Sequence, residues 1–316
     1  MATSRGELAR REEIFGLLVC LAYASTSIAI TYANKIVLSS YGFHFEVTLI
    51  LAQLALSTAS ILLLFLLGVC SAPPLNFDTL VKTLPLSFWF FAYVITGLSS
   101  LRSLSVPTWS AMRRLTALCI LFLDWFSDSK LAPMSIWLSI VLMLLGAILA
   151  GLGDFEGSLR GYVHVACNCL SSALYLRAVT QVKKKTGMSE MGVLMYTNMW
   201  CLLPVALFVL LSSEFHRVSS FPLLTDSGFL ASLFGSSILS GLLNYLVFLS
   251  ASVNSPLTTC VTGQAKNVVS SLGGFIFMPP AEYSIVHISG CLLGLMASVW
   301  YATLKFLDSQ SRRKQD

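Results

Sequence analysis

The sequence predicts an all-α polytopic membrane protein with ten transmembrane helices in two inverted five-helix repeats, and three observations predict it. Of the 316 residues, 56% are hydrophobic and only 11% charged, against about 25% charged in ordinary globular chains. That composition excludes a soluble protein. Ten stretches of the chain are apolar enough to be spans; a bilayer core of about 30 Å takes roughly 20 apolar residues, so ten crossings use about 200 residues and leave short loops. The third observation is the uneven distribution of Lys and Arg between alternate loops, which gives the spans a direction.

Taken in order, the apolar stretches lie near 14 to 34, 45 to 69, 83 to 101, 104 to 123 and 132 to 151, then near 161 to 181, 192 to 212, 228 to 250, 256 to 277 and 284 to 305. Loop punctuation separates them: Ser71-Ala72-Pro73-Pro74, Asp128-Ser129-Lys130, Gly153 to Gly157, Lys183 to Gly187, and Met278-Pro279-Pro280. The third and fourth spans are divided only by Arg102 and the polar residues beside it, the eighth and ninth only by the stretch around Asn254 and Ser255. The N-terminus mixes Arg5, Arg10 and Arg11 with Glu7, Glu12 and Glu13 and lacks a small-residue cleavage site, so it reads as a cytosolic tail before a retained helix. The expected organisation is a tail over 1–13, a first half over 14–153, a second half over 154–306 and a tail over 307–316.

With the N-terminus in the cytosol, twelve of the 20 Lys and Arg residues fall on the cytosolic side and four (Lys35, Arg102, Arg160, Arg217) on the other, which places both termini in the cytosol. Five spans per half is an odd number, so duplicated halves sit upside down relative to one another. An internal echo supports duplication. Span four opens with Ser105-Val106-Pro107-Thr108 and reaches Arg113-Arg114; span nine opens with Asn254-Ser255-Pro256-Leu257 and reaches Lys266.

The remaining four cations, Arg113, Arg114, Arg177 and Lys266, lie inside spans. A Lys or Arg at a helix centre costs about 2.5 to 3.5 kcal/mol on insertion scales, so such groups face a wet cavity, a counter-ion or a ligand. Arg177 is near a span end and can snorkel to the headgroups. Asp124, the nearest carboxylate partner for Arg114, is ten residues along the same span, roughly 15 Å away on a helix. The middle of the chain thus holds surplus positive charge that suits an anionic ligand. Successive helical residues point about 100° apart, so one of Arg113 and Arg114 faces a cavity while the other pairs elsewhere, with Arg113 favoured. Around Lys266, the stretch from Thr258 and Thr259 through Gly263, Gln264 and Asn267 puts hydroxyls, a close-approach glycine, amides and a cation on successive turns. That mix suits a phosphate-bearing ligand.

Weaker signals are the Tyr196-Thr197-Asn198 stretch, which offers a nucleobase edge a donor and an acceptor or else ties helices together, and Tyr32, Asn34, Asn168, Tyr175, Asn244 and Tyr301, each open to the same two readings. Gly290 and Gly294 form a GxxxG that serves either a homodimer seam or packing within one chain. The eight cysteines have no CxxC or metal-ligand spacing and read as small packing residues. No metal, cofactor or nucleic-acid partner is expected, and the chain lacks HExxH, GxSxG, a Walker A sequence and an intramembrane His/Asp cluster of the kind hydrolases use, so no enzyme and no nucleotide-driven pump is expected.

The Asn34-Lys35 end of span one, Val106-Pro107 to Arg113-Arg114, Gly161-Tyr162, Tyr196-Thr197-Asn198, Asn254 to Asn267 and Tyr301 to Lys305, taken in order, make the chain resemble the nucleotide-sugar transporters. These belong to the drug/metabolite transporter superfamily, together with the plastid triose-phosphate translocators. The resemblance runs from about Phe15 to Phe306 and implies two inverted five-helix repeats in a Golgi membrane, or alternatively the endoplasmic reticulum. It implies import of a nucleotide sugar in exchange for the matching nucleoside monophosphate. It further implies that Lys266 and Asn267 engage phosphate or sugar, with Gly263, Gln264 and Thr259 beside them. Arg113, with Arg114, stands where the family often has a basic residue; Tyr196 and Asn198 are implied as nucleobase contacts, and Tyr301 belongs to the closing motif. GDP-mannose carriers have Gly-x-Leu-Asn-Lys in span nine and paired asparagines in span seven, whereas this chain has Gly263-Gln264-Ala265-Lys266-Asn267 and one asparagine. The departures resemble the UDP-sugar branch, such as carriers of UDP-N-acetylglucosamine or UDP-glucuronate. The alternatives are a GDP-sugar or small organic-phosphate carrier, and a non-transporting regulatory protein with the same fold.

Overall fold

The computed structural model describes residues 2–68, 76–128, 133–154, 158–253, 256–277 and 284–313. Among them the regular structure is helical: α1 (Ala2–Lys35, continued by a π-helical stretch Ile36–Ser40), α2 (Glu46–Leu66), α3 (Phe77–Ser103), α4 (Val106–Arg113), α5 (Thr116–Asp128), α6 (Met134–Leu152), α7 (Leu159–Thr186), α8 (Glu190–Leu211), α9 (Ser213–Ser219), α10 (Ser227–Val253), α11 (Pro256–Phe277) and α12 (Ile285–Arg313). The expected breaks at Ser71 to Pro74, Ser129-Lys130, Phe155 to Gly157, Asn254-Ser255 and Met278 to Pro280 lie outside the described residues.

The helix ends follow side-chain chemistry. Ser105, Ser158, Ser189 and Ser212 accept bonds from the first-turn amides of α4, α7, α8 and α9, and Asn76 does so for α3. Gly187 closes α7 in the left-handed region at φ 64°, where its amide bonds the Lys183 carbonyl and Lys183, Lys184 and Lys185 face the negative end of the helix dipole.

Three features depart from the sequence reading. Residues expected as an N-terminal tail continue α1, which starts at Ala2. Span four is two helices, because at Arg114 and Leu115 the amides bond three residues back, to Ala111 and Met112, instead of four. Finally, among the described residues seven helical stretches are long and apolar enough to cross a membrane: Ile14–Ser40, Glu46–Leu66, Phe77–Ser103, Met134–Leu152, Met191–Leu211, Ser227–Val247 and Ile285–Leu304. The three expected spans missing from this set are broken (α4 with α5) or interrupted by polar residues (α7 and α11), and all three contribute to the cavity described below.

α6 and α12 form the most extensive packing, and α3 with α7, α1 with α10 and α2 with α10 follow. The GxxxG of α12 lies in the α6 seam. A Cβ added to Gly290 would overlap the backbone of Leu149 and Ala150 and fall 2.8 Å from the Gly146 carbonyl oxygen; one added to Gly146 would meet the backbone of Gly290 and Gly294. Glycines therefore let these two helices approach backbone to backbone within one chain. Leu17, Leu18, Phe88, Leu203 and Phe208 are among many large apolar side chains left exposed, the outer surface expected of a protein solvated by lipid.

Candidate functional site

A cavity of about 240 Å³ lies among α1, α2, α3, α4, α7, α10 and α11. Two cations reach it from helices whose sequences had marked them. Lys266, on α11, donates to the Ser27 hydroxyl at 2.7 Å, and its Nζ lies 4.8 Å from the Tyr23 ring centroid. Ser27 and Tyr23 are four residues apart on α1 and so share one face. Arg113 occupies the last turn of α4, where the carbonyl end of the helix favours a cation. Its Cζ is 4.9 Å from the Trp109 ring and 5.4 Å from the Tyr93 ring, Nη2 donates to the Tyr93 hydroxyl at 3.4 Å, and Nε is buried without a hydrogen-bond partner.

No carboxylate occurs among the described residues that line the cavity. Its polar wall is made of Asn34, Gln53, Ser57, Asn168, Ser172 and Asn244, all neutral. Asn34 Oδ1 accepts from Gln53 Nε2 at 2.9 Å, and Asn168 Nδ2 donates to the Tyr93 carbonyl at 2.6 Å. Neutral amides orient a polar ligand but cannot neutralise the two cations. The arrangement therefore favours an anion with further hydrogen-bonding groups.

The other expected site residues lie elsewhere. Arg114 points away from the cavity, 2% exposed, with Nη2 donating to Ser271 Oγ at 2.8 Å and Nη1 to the Cys291 carbonyl at 3.3 Å, so it ties α4 to α11 and α12. Tyr196 is buried and its hydroxyl accepts the Asn76 amide at 3.0 Å, beyond the N-terminal end of α3. Asn198 sits one layer behind the cavity, where its Nδ2 donates to Ser57 Oγ at 3.1 Å. Tyr301 packs in an apolar cluster with Leu121, Ile136, Ile140 and Met143. Gly263 and Asn267 are half-buried on α11 and outside the set that lines the cavity. The side chains of Thr259 and Gln264 are outside the described residues.

Tyr196→Phe is therefore expected to leave ligand affinity unchanged and to lower stability by about 1 kcal/mol, the worth of one hydrogen bond. Nucleotide titration and thermal melting of the variant check both halves of that expectation. A tenfold loss of affinity would return Tyr196 to the site.

Asn34, Asn168, Tyr175 and Asn244, which the sequence left open between ligand contacts and helix ties, line the cavity, as do Tyr23, Tyr93 and Trp109, which no sequence motif marked. The available signal was spacing: Trp109 and Arg113 share a face at i, i+4, as do Tyr23 and Ser27. The fold also joins an acid and an imidazole that the sequence separates. Ser105 Oγ donates to Asp154 Oδ2 at 3.1 Å and lies 2.9 Å from Thr108 Oγ1, which is 3.2 Å from His287 Nε2. All four residues are buried, and two hydroxyls separate the acid from the ring, so this is a tie between the start of α4, the end of α6 and α12 rather than an acid/base pair.

No family model matches the chain. Among characterised sequences, a Dictyostelium discoideum protein named for UDP-sugar transport is 34% identical over 229 residues, covering 72% of this chain and 59% of its own length. The mouse nucleotide sugar transporter SLC35D2 is 30% identical over 301 residues, which is 95% of this chain and 91% of that one. A crystal structure of a protein 14% identical superposes with a TM-score of 0.56, covering 93% of this chain and 97% of that one, and so shares the fold.

Proposed function

The chain belongs to the family of nucleotide-sugar transporters, and from that premise we propose that it exchanges a UDP-sugar, such as UDP-N-acetylglucosamine or UDP-glucuronate, for UMP by alternating access. The observation that carries the proposal is the pair of cations, Arg113 and Lys266, facing one cavity with no carboxylate among its described lining residues. The proposed roles are phosphate contact for both, with Gly263, Gln264, Asn267 and Thr259 flanking Lys266 on the same helix. UMP and a UDP-sugar with a neutral sugar each bring about two negative charges at neutral pH, enough to balance the two cations, and UDP-glucuronate adds one more on its sugar carboxylate. The loaded cavity is then close to neutral and the empty one is not. Reorientation of the empty carrier closes the halves around two uncompensated cations near the middle of the bilayer, which favours exchange over one-way leak.

The proposed frame is ten crossings in two inverted halves, 14–153 and 154–306, with both chain termini in the cytosol, in the Golgi membrane. Packing symmetry supports it. Exchanging α1 with α7, α2 with α8, α3 with α10, α4 and α5 with α11, and α6 with α12 turns the α3–α7 contact into α10–α1, α2–α10 into α8–α3, and α11–α12 into α4–α6, all of which occur. Under the same exchange Arg113 and Lys266 come from equivalent helices, one from each half. A ligand held by both cations bridges the halves that must move.

A melting panel tests the identity of the anion, since at equal concentration a ligand bound only by the folded state raises the melting temperature more the tighter it binds. UMP is expected to stabilise the purified protein more than GMP, CMP or phosphoenolpyruvate. Greater stabilisation by GMP would point to a GDP-sugar, by phosphoenolpyruvate to a small organic phosphate, and by none of them to a protein that keeps the fold without transport.

A further inference from the structure

Arg113 is held by rings rather than by an acid. Trp109, one turn earlier on α4, presents its indole 4.9 Å from the guanidinium carbon, and Tyr93 on α3 lies at 5.4 Å. Neither ring is loose. The indole Nε1 donates to the buried Ser100 Oγ on α3 at 3.0 Å, and Tyr93 stacks on Tyr175 of α7 with centroids 5.9 Å apart and planes within 3°.

Cation–π contact uses the charge and the face of a guanidinium and leaves its N–H groups unspent. The hydrogen bonds agree: among the described residues Nε has no partner, and Nη2 makes one long bond, 3.4 Å, to the Tyr93 hydroxyl. A carboxylate at the same place would occupy the donors and cancel the charge. The aromatic bracket fixes the plane of the group while keeping both for a ligand, and a planar fork held this way suits a phosphate gripped by two N–H bonds.

We propose that Trp109, anchored by Ser100, is a positioning residue that orients the Arg113 guanidinium for bidentate contact with a phosphate of the nucleotide; this rests on the cavity being the nucleotide-sugar site. Trp109 acts through Arg113. Lys266, resting on a single ring and one hydroxyl, supplies the unoriented second charge.

The test is a double-mutant cycle on the purified full chain, with UMP and inorganic pyrophosphate as probes and affinity read from thermal stabilisation. Trp109→Leu is expected to weaken both probes about tenfold, and Trp109→Phe, which keeps an aromatic face, to recover most of that loss. In an Arg113→Gln background, where Lys266 still supports weak binding, Trp109→Leu is expected to change affinity less than twofold. An equal loss in both backgrounds would overturn the proposal, because Trp109 would then act on the ligand or on packing without Arg113. Should Trp109→Leu not fold, Ser100→Ala, which frees the indole, carries the same cycle with an expected loss of about threefold that vanishes beside Arg113→Gln. If neither probe nor any nucleotide stabilises the unaltered protein, the reading of the cavity fails and this inference with it; binding with full additivity overturns this inference alone.

Discussion

Lys266→Ala is expected to abolish nucleotide-sugar exchange while leaving the melting temperature of the unliganded protein unchanged or slightly raised. The two effects have opposite physical origins. A phosphate about 4 Å from an ammonium gains about 4 kcal/mol at an effective dielectric constant of 20, and measured charge-assisted bonds are worth about 1.5 to 3 kcal/mol, so affinity should fall between tenfold and a thousandfold. In the empty protein, among the described residues, the same ammonium rests on Ser27 Oγ and the Tyr23 face, and keeping a charge in an apolar span without a counter-ion is a cost to the fold. Removing it relieves that cost at the loss of one hydrogen bond. Transport assays paired with melting curves check both signs, and normal exchange by the variant would remove Lys266 from the site.

The second large effect is structural. Gly290→Leu is expected to prevent folding, with a destabilisation of at least about 3 kcal/mol, because the first added carbon meets the Leu149 and Ala150 backbone and not a side chain that can turn aside. Gly146→Leu should behave alike from the facing helix. Leu292→Ala, two residues along α12 and 48% exposed, should be tolerated. Size-exclusion profiles of detergent-solubilised variants distinguish this from a dimer seam, which would give well-folded monomers for the glycine variants and lost protein for none.

The parts of this molecule that were legible in the sequence are those where a single residue contradicts its surroundings. Lys266 and Arg113 stood out because charge is scarce in the spans, and both reach the cavity. The choice between Arg113 and Arg114 was not legible, since a 100° offset separates their directions without naming which faces inward; Ser271 and the Cys291 carbonyl, from helices more than 150 residues away, decide it. The break between α4 and α5 has no Gly or Pro at Arg114 and Leu115 to announce it. It coincides with the point where adjacent arginines are drawn to opposite sides of one helix. The surroundings of Tyr196 and Asn198 were not legible, because a phenol and an amide in an apolar span look alike whether they meet a ligand, a neighbouring amide or a serine hydroxyl; in the fold they meet the Asn76 amide and Ser57. Trp109 and Tyr93 were under-read for the complementary reason: aromatic residues are common in spans, and only the fold shows a guanidinium between these two. The GxxxG was legible as a close-packing motif, and its partner was not.

The central claim is exchange of a UDP-sugar for UMP through a cavity faced by two cations, and tracer counterflow tests it most directly. Purified protein in liposomes loaded with UMP, GMP, CMP or buffer alone would be given external labelled UDP-N-acetylglucosamine or UDP-glucuronate. The account predicts rapid uptake of at least one of them into UMP-loaded liposomes, far slower uptake into the others, and none with Lys266→Ala. Equal uptake whatever the internal nucleotide, buffer included, would contradict it.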